Sequence, residues 1–223
     1  MNATSPRPVV TAFDWVPDFA RGLVRDLRVR WALEEIGAPY ETELLNARAP
    51  RPEAYLARQP FDQVPAFTDG DLQLFETGAI LLYLGEQDER LLSAQGQARW
   101  DAISWVFAAL NSVEPIISRI VAYDIFNKDK DWVPAARESA LGLCKQKLKR
   151  VNDALAGKEW LAGQFSVADI AMVTVLNNIR HTDLVAECPS LAAYKARGEA
   201  RPAYKRALDA QLADFKEPAE EAA

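Results

Sequence analysis

Glu76-Thr77-Gly78 carries the most specific chemistry in this sequence. A threonine hydroxyl beside the N–H groups of a starting helix suits a carboxylate, and the adjoining glutamate suits an ammonium. A ligand with both groups on one carbon, the head of an α-amino acid, matches the pair. The plainer alternative is that Glu76-Thr77 caps the helix. Upstream, Gln63-Val64-Pro65 puts a proline at the first residue of a strand candidate, where a missing N–H is tolerated. Ser166 and Asp169 have capping-box spacing ahead of an apolar run, with Phe165 placed to staple onto Ile170, a structural device. His181 is the only histidine, and Cys144 and Cys188 lack C-x-x-C spacing. These facts argue against a histidine zinc site, a Ser-His-Asp triad and a disulfide framework, and no metal is expected. His181 is expected to satisfy a local hydrogen bond.

The elements that hold these residues follow from periodicity and turn signals. Val9–Phe13 is a β-branched strand candidate, and a helix around Leu23–Ile36 stops at Gly37 with Pro39 beyond. Residues 40–45 form a second strand and 51–58 a short helix opened by Pro52. Two strands in 65–75 turn about Asp69-Gly70, and 77–87 is an apolar helix. The order is β-α-β-α-β-β-α over residues 1–87, an α/β domain. A polar stretch interrupted by Gly96, 88–99, is the expected linker. Residues 100–215 form an all-α domain, with helices near 97–126, 134–156, 167–180, 189–199 and 201–215; Pro115 should kink or end the first. The acidic 216–223 is expected to be a disordered tail. A net charge of -6 and a pI near 5.0 give no attraction to nucleic acid or anionic lipid. The opening MNATSPRP has no apolar core of a secretory signal, and no apolar run approaches the roughly 20 residues of a membrane span. A cytoplasmic protein is expected.

Pro65 opens the third strand of this pattern, where thioredoxin-like domains keep a cis-proline that frees the preceding backbone to pair with an extended peptide. With LRVRWALEEIGAPYE, QVPAF, ETGAILLYL, EWLAGQFSVADI and PSLAAYKARGEARPAY in this order, the chain resembles the cytosolic glutathione transferases from about Val9 to Phe215. The resemblance implies a thioredoxin-like N-terminal domain, an all-helical C-terminal domain, a homodimer, and glutathione as co-substrate in detoxification. It implies that Val64, following Gln63 and preceding Pro65, pairs its backbone with the cysteinyl part. Glu76 and Thr77 would hold the γ-glutamyl head, with Gln63 near the glycyl end. An apolar electrophile would be the second substrate, received by the helical domain, where Trp105, Phe107, Tyr123 and Phe126 are available. Asn111 and Glu114 are polar interruptions of that helix.

One feature of the family pattern is missing. Most classes place a serine, tyrosine or cysteine after the first strand to stabilise the glutathione thiolate, and between Thr11 and Tyr40 this chain has none. Aligning the loop's proline puts Val16 at that position; aligning LRVR puts Leu23 there. A backbone N–H of the 15–22 loop, the Trp15 indole N–H, or a guanidinium among Arg21, Arg25 and Arg28 could substitute, and a helix begun near Pro17 would align those arginines on one stripe. Trp15 and Arg21, which lie in the loop, are the expected catalytic groups. Disulfide or peroxide reduction by glutathione, or ligand binding without turnover, are the alternatives.

Overall fold

The computed structural model describes Pro6 to Lys216. The described residues divide into two compact units, one of residues 6–84 with 202–216 and one of 85–201.

In the first unit, β1 (Val9–Phe13) pairs in parallel with β2 (Glu41–Leu45) and antiparallel with β3 (Ala66–Asp69), which pairs antiparallel with β4 (Leu72–Phe75). The strand order is β2-β1-β3-β4. The crossover between the parallel strands is α1 (Asp26–Ile36), which ends on Gly37 at φ 78°, whose N–H returns to the Leu33 carbonyl at 2.9 Å. A single turn, α2 (Glu53–Leu56), precedes β3, and α3 (Thr77–Gly85) follows β4. This is the expected order of elements.

Two boundaries differ from expectation. α1 begins at Asp26, because Asp18–Ala20 is a 3-10 turn and Gly22, at φ 76°, breaks any helix running on from Pro17. The three arginines therefore share no helical stripe. The last helix, α9 (Pro202–Asp214), belongs to the first unit and not with the helical region. It covers α1: Tyr204 meets Trp31 edge-on at 4.9 Å, and Arg206 pairs with Glu34 at 2.7 Å. Asp26, Arg30 and Gln211 are almost wholly buried between the two helices. Arg30 bridges Asp26 at 2.7 Å and Asp214 at 2.5 Å, and the Gln211 amide donates to Asp26 at 2.7 Å. Burial outweighs these contacts and pushes the Asp26 carboxyl up to about 6. Lys216 donates its backbone N–H to the Asp14 carbonyl at 2.8 Å; from Glu217 on, the expected tail lies outside the described residues.

The second unit is helical. α4 (Gly96–Phe107) starts inside the expected linker. A π-helical segment (Ala108–Val113), α5 (Glu114–Val121) and a second π segment (Ala122–Phe126) continue it. Pro115 does not end this run: it sits in the first turn of α5, directly after the π turns, where its missing N–H does least harm. By length and composition this 31-residue run is apolar enough to cross a membrane; here it packs on α7 (Val167–Asn177), and Val106, Ala109, Ile117 and Ile120 are buried. α6 (Val133–Ala154) and α8 (Pro189–Glu199) complete the unit. The capping box is present. Asp169 accepts from Leu161 N–H at 3.1 Å, Tyr194 O–H at 2.9 Å and Ser166 N–H at 2.9 Å, and Ser166 Oγ accepts from Ala168 N–H at 3.3 Å. Phe165, before the cap, packs on Trp160 at 5.0 Å. His181 does not bond locally: it meets Asp124, 57 positions earlier, at 3.1 Å, beside Arg137.

Candidate functional site

The turn into β3 and the head of α3 are joined by two arginines from the start of α1. Arg25 Nη1 donates to Gln63 Oε1 at 3.3 Å, and Arg28 Nη1 donates to Thr77 Oγ1 at 3.1 Å. Arg28 and Thr77 are buried, whereas Glu76 and Gln63 are exposed. Of the sequence's candidates, the structure thus gathers Gln63, Val64, Pro65, Glu76 and Thr77 around one end of α1.

Local chemistry explains the placement. Glu76 sits at φ 67°, a left-handed conformation that a non-glycine residue adopts at a cost of roughly 1–3 kcal/mol. Its carbonyl accepts the Ile80 N–H at 3.0 Å, which starts α3. Thr77 is the first helical residue, not the cap, and its hydroxyl oxygen is engaged by Arg28. Of the Glu76-Thr77 pair in the capping alternative, Glu76 holds the cap place through its carbonyl, and Thr77 is already inside the helix. At the head of α3, a hydroxyl that accepts from a buried cation adjoins an exposed carboxylate in sequence.

The Val64–Pro65 peptide is cis. β3 pairs with β4 only from Ala66, opposite Phe75, so Val64 precedes the ladder while its side chain packs with Tyr55 and Ala66. A buried polar network holds this turn. Thr11 Oγ1 accepts from Ala66 N–H at 2.7 Å and lies 3.1 Å from Tyr55 Oη, which donates to the Gln63 carbonyl at 2.5 Å. Gln59 Oε1 accepts from Phe61 N–H at 2.7 Å and Gln63 N–H at 3.3 Å.

The loop after β1 uses several of its own donors. The N–H groups of Ala20 and Arg21 bond to the carbonyls of Pro17 and Asp18, which removes two of the 15–22 candidates for a backbone donor; Leu23 N–H, just beyond, bonds to the Ala20 carbonyl. Val16 is buried and Leu23 half-buried. Trp15 lies under the Arg48 guanidinium, 4.1 Å from its ring centroid. Arg21 pairs with the exposed Asp18 at 3.2 Å and stands 6.0 Å from the Phe215 ring. Arg21 is thus directed toward Asp18 and Phe215, while Arg25 and Arg28 reach the other candidates.

Sequence reasoning missed Tyr55, Gln59 and Thr11 as shapers of this region, and offered Arg28 only as a group for the sulfur and not as the partner of Thr77. Arg28 carried a signal. Asp26 to Leu33 is buried on every face, and the apolar residues Leu27, Val29, Trp31, Ala32 and Leu33 leave no polar side for an arginine between them.

Comparison with known proteins gives the family. Residues 9–86 match the N-terminal domain of the glutathione S-transferases and residues 118–210 their C-terminal domain. Glutathione S-transferase 4 of Zea mays is 30% identical over 209 residues, covering 88% of this chain and 90% of its own. The disulfide-bond oxidoreductase YfcG of Escherichia coli is 30% identical over 174 residues, covering 74% and 80%. A glutathione transferase of Burkholderia graminis, solved with two glutathione molecules bound per subunit, superposes with a TM-score of 0.76 at 29% identity, over 91% of this chain and 88% of that one. The chain belongs to the glutathione S-transferase superfamily, with a thioredoxin-like N-terminal domain and a helical C-terminal domain.

Proposed function

We propose that the protein binds glutathione on its first unit and that the bound thiolate attacks an electrophilic small molecule. The new C–S bond forms as the leaving group departs with its electron pair. In this reading Glu76 takes the γ-glutamyl ammonium and Thr77, with the first N–H groups of α3, takes the carboxylate. Val64, held by Pro65, pairs with the cysteinyl backbone, and Gln63 lies toward the glycyl end. The observation that carries the reading is the head of α3, where the exposed Glu76 adjoins Thr77 and the buried Arg28. Trp15 and Arg21 are the loop groups assigned to the sulfur. A cytoplasmic homodimer acting on apolar electrophiles in detoxification follows from the same family pattern.

Reduction of a disulfide is the second reading. It is favoured by the absence of any hydroxyl or thiol side chain between Thr11 and Tyr40 and by the likeness to YfcG. There the thiolate attacks one sulfur of the disulfide, releases the other as a thiol, and a second glutathione resolves the mixed disulfide as glutathione disulfide.

The test is an ultraviolet difference titration of bound glutathione. A bound thiol pKa well below the free value of about 8.5 supports an activated thiolate and conjugation. An unshifted value moves disulfide exchange ahead, and no binding refutes the glutathione reading.

A further inference from the structure

We infer that Gln211 and Asp26 form a proton-controlled clamp on the first turn of α1, and that Gln211 is through it a positioning residue for Gln63 and Thr77, which the arginines of that turn reach. The consequence for ligand binding rests on the glutathione reading above; the clamp itself does not.

Gln211 projects from α9 and is almost wholly buried. Its amide nitrogen donates to the Val24 carbonyl at 3.1 Å and to Asp26 Oδ1 at 2.7 Å. A carbonyl only accepts, so Val24 fixes which end of the amide faces α1. The amide oxygen is thereby turned to a buried place where, among the described residues, it has no hydrogen-bond partner. A buried acceptor left in this way costs stability. The Val24 carbonyl also takes the Leu27 N–H at 3.1 Å, so Gln211 grips α1 at its start. From there Arg25 reaches Gln63 at 3.3 Å and Arg28 reaches Thr77 at 3.1 Å.

A proton on Asp26 reverses the preferred orientation. Asp26 Oδ2 receives Arg30 Nε at 2.7 Å, and a guanidinium only donates, so the acid proton belongs on Oδ1, facing Gln211. Two donors then meet unless the amide turns over. Turned over, its oxygen gains the Asp26 proton as the partner it lacked, and its nitrogen leaves the Val24 carbonyl. Each protonation state thus fits one orientation, and only the ionised state holds Val24. Around Asp26 stand Arg30 on its own helix, Asp214 on α9, which Arg30 also bridges, and Tyr40, which bonds to Arg30. Glu34 and Arg206 pair with each other further along the two helices. Burial pushes the Asp26 carboxyl up to about 6, so the clamp closes as pH rises through that value. Over the same rise a carboxyl so shifted lowers the stability of the fold. For packing alone a neutral residue at 26 would serve better.

The experiment is a nitrogen-15 NMR titration of the full chain on both sides of the Asp26 value, for wild type, Asp26→Asn and Gln211→Met, with glutathione affinity measured by calorimetry over the same range. In wild type the Gln211 side-chain amide, identified by its absence from Gln211→Met, and the Leu27 backbone amide should shift with a midpoint near 6. The backbone amides of Gln63 and Thr77 should follow with the same midpoint. Glutathione should bind about threefold more weakly below it, the lower part of the range for one neutral hydrogen bond. Asp26→Asn, which carries no charge at any pH, should lose the step in every signal and in affinity. Gln211→Met keeps Asp26 but has no amide to turn, so Gln63 and Thr77 should stay still; it provides the comparison if Asp26→Asn does not fold. A wild type without the step, a step confined to Gln211 and Leu27, or one at Gln63 and Thr77 that survives either substitution would overturn the inference. If the signals move together and no glutathione binds at any pH, the clamp stands and the glutathione reading fails. If glutathione binds with one affinity across the step, the part of the clamp in ligand binding fails.

Discussion

Replacing Asp169 with asparagine should change how stability responds to pH more than it changes stability at any one pH. Asp169 is wholly buried, and its two oxygens receive Leu161 N–H, Tyr194 O–H, Ser166 N–H and Ser166 Oγ–H. Burial nevertheless dominates and pushes its carboxyl from an ordinary 3.8 up to about 6, against the pull of those donors. A carboxyl raised on folding contributes stability that is fully present below its unfolded pKa and is lost as pH rises through the folded value. The window is therefore about pH 4 to 7. A shift of about two units at 1.36 kcal/mol each is on the order of 3 kcal/mol. Asparagine does not titrate, but its amide nitrogen faces Ser166 donors or the Leu161 and Tyr194 pair, at a cost of about 1–3 kcal/mol for buried donors left unpaired. The variant should thus be clearly weaker than wild type near pH 4.5 and close to it near pH 7.5. Urea unfolding at three pH values, followed by tryptophan fluorescence, measures this gap. Trp160 is a suitable reporter because its ring lies 5.9 Å from Tyr194. Asp26 shifts in the same direction, and its contribution cancels in the difference between the two proteins. A gap that stays constant or widens with rising pH would refute the reasoning.

Glu76→Ala should weaken glutathione at least several-fold by calorimetry, since it removes the proposed partner of the ammonium; unchanged affinity would end the γ-glutamyl assignment. Arg21→Ala should lower kcat more than it raises KM, as expected for a group acting on the thiolate. Wild-type values for both would leave Trp15 or a backbone donor as the activator. Gly85→Ala would place a Cβ 2.8 Å from Leu92 Cβ and 3.0 Å from Val167 Cγ1, neither of which is the tip of a long flexible side chain. Overpacking of about 1–3 kcal/mol should outweigh a helix-propensity gain of up to about 1 kcal/mol. The urea midpoint should fall, and a rise would show that the neighbours yield freely.

Most of the first unit was legible because its signals are local. Asp69-Gly70 fixes a hairpin and Gly37-Pro39 stops a helix; in the second unit, Ser166 with Asp169 starts one. What could not be read were contacts between residues distant in sequence. Gly22 looks like any loop glycine until its positive φ is known, and only then does α1 begin at Asp26 and Arg21 leave the line of Arg25 and Arg28. Thr77 reads as a carboxylate-binding hydroxyl or part of a cap, and nothing nearby reveals that Arg28, 49 positions earlier, donates to its hydroxyl. α9 reads as one more member of a helical series; its apolar pattern does not say that Trp31 and the Asp26–Arg30 pair are what it covers.

That last helix gives the first unit an unusual history on the ribosome. Its sheet and α1 emerge first, yet the residues that shield Trp31 and engage Arg30 through Asp214 are synthesised only after the whole of 85–201. Until then the nascent chain carries an open apolar seam with a buried-type ion pair exposed to water. A chain stalled or clipped before Pro202 would keep the residues of the proposed glutathione site and lack the helix that closes the unit holding them. The unit that is begun first is therefore closed only after residues 85–201 have been made.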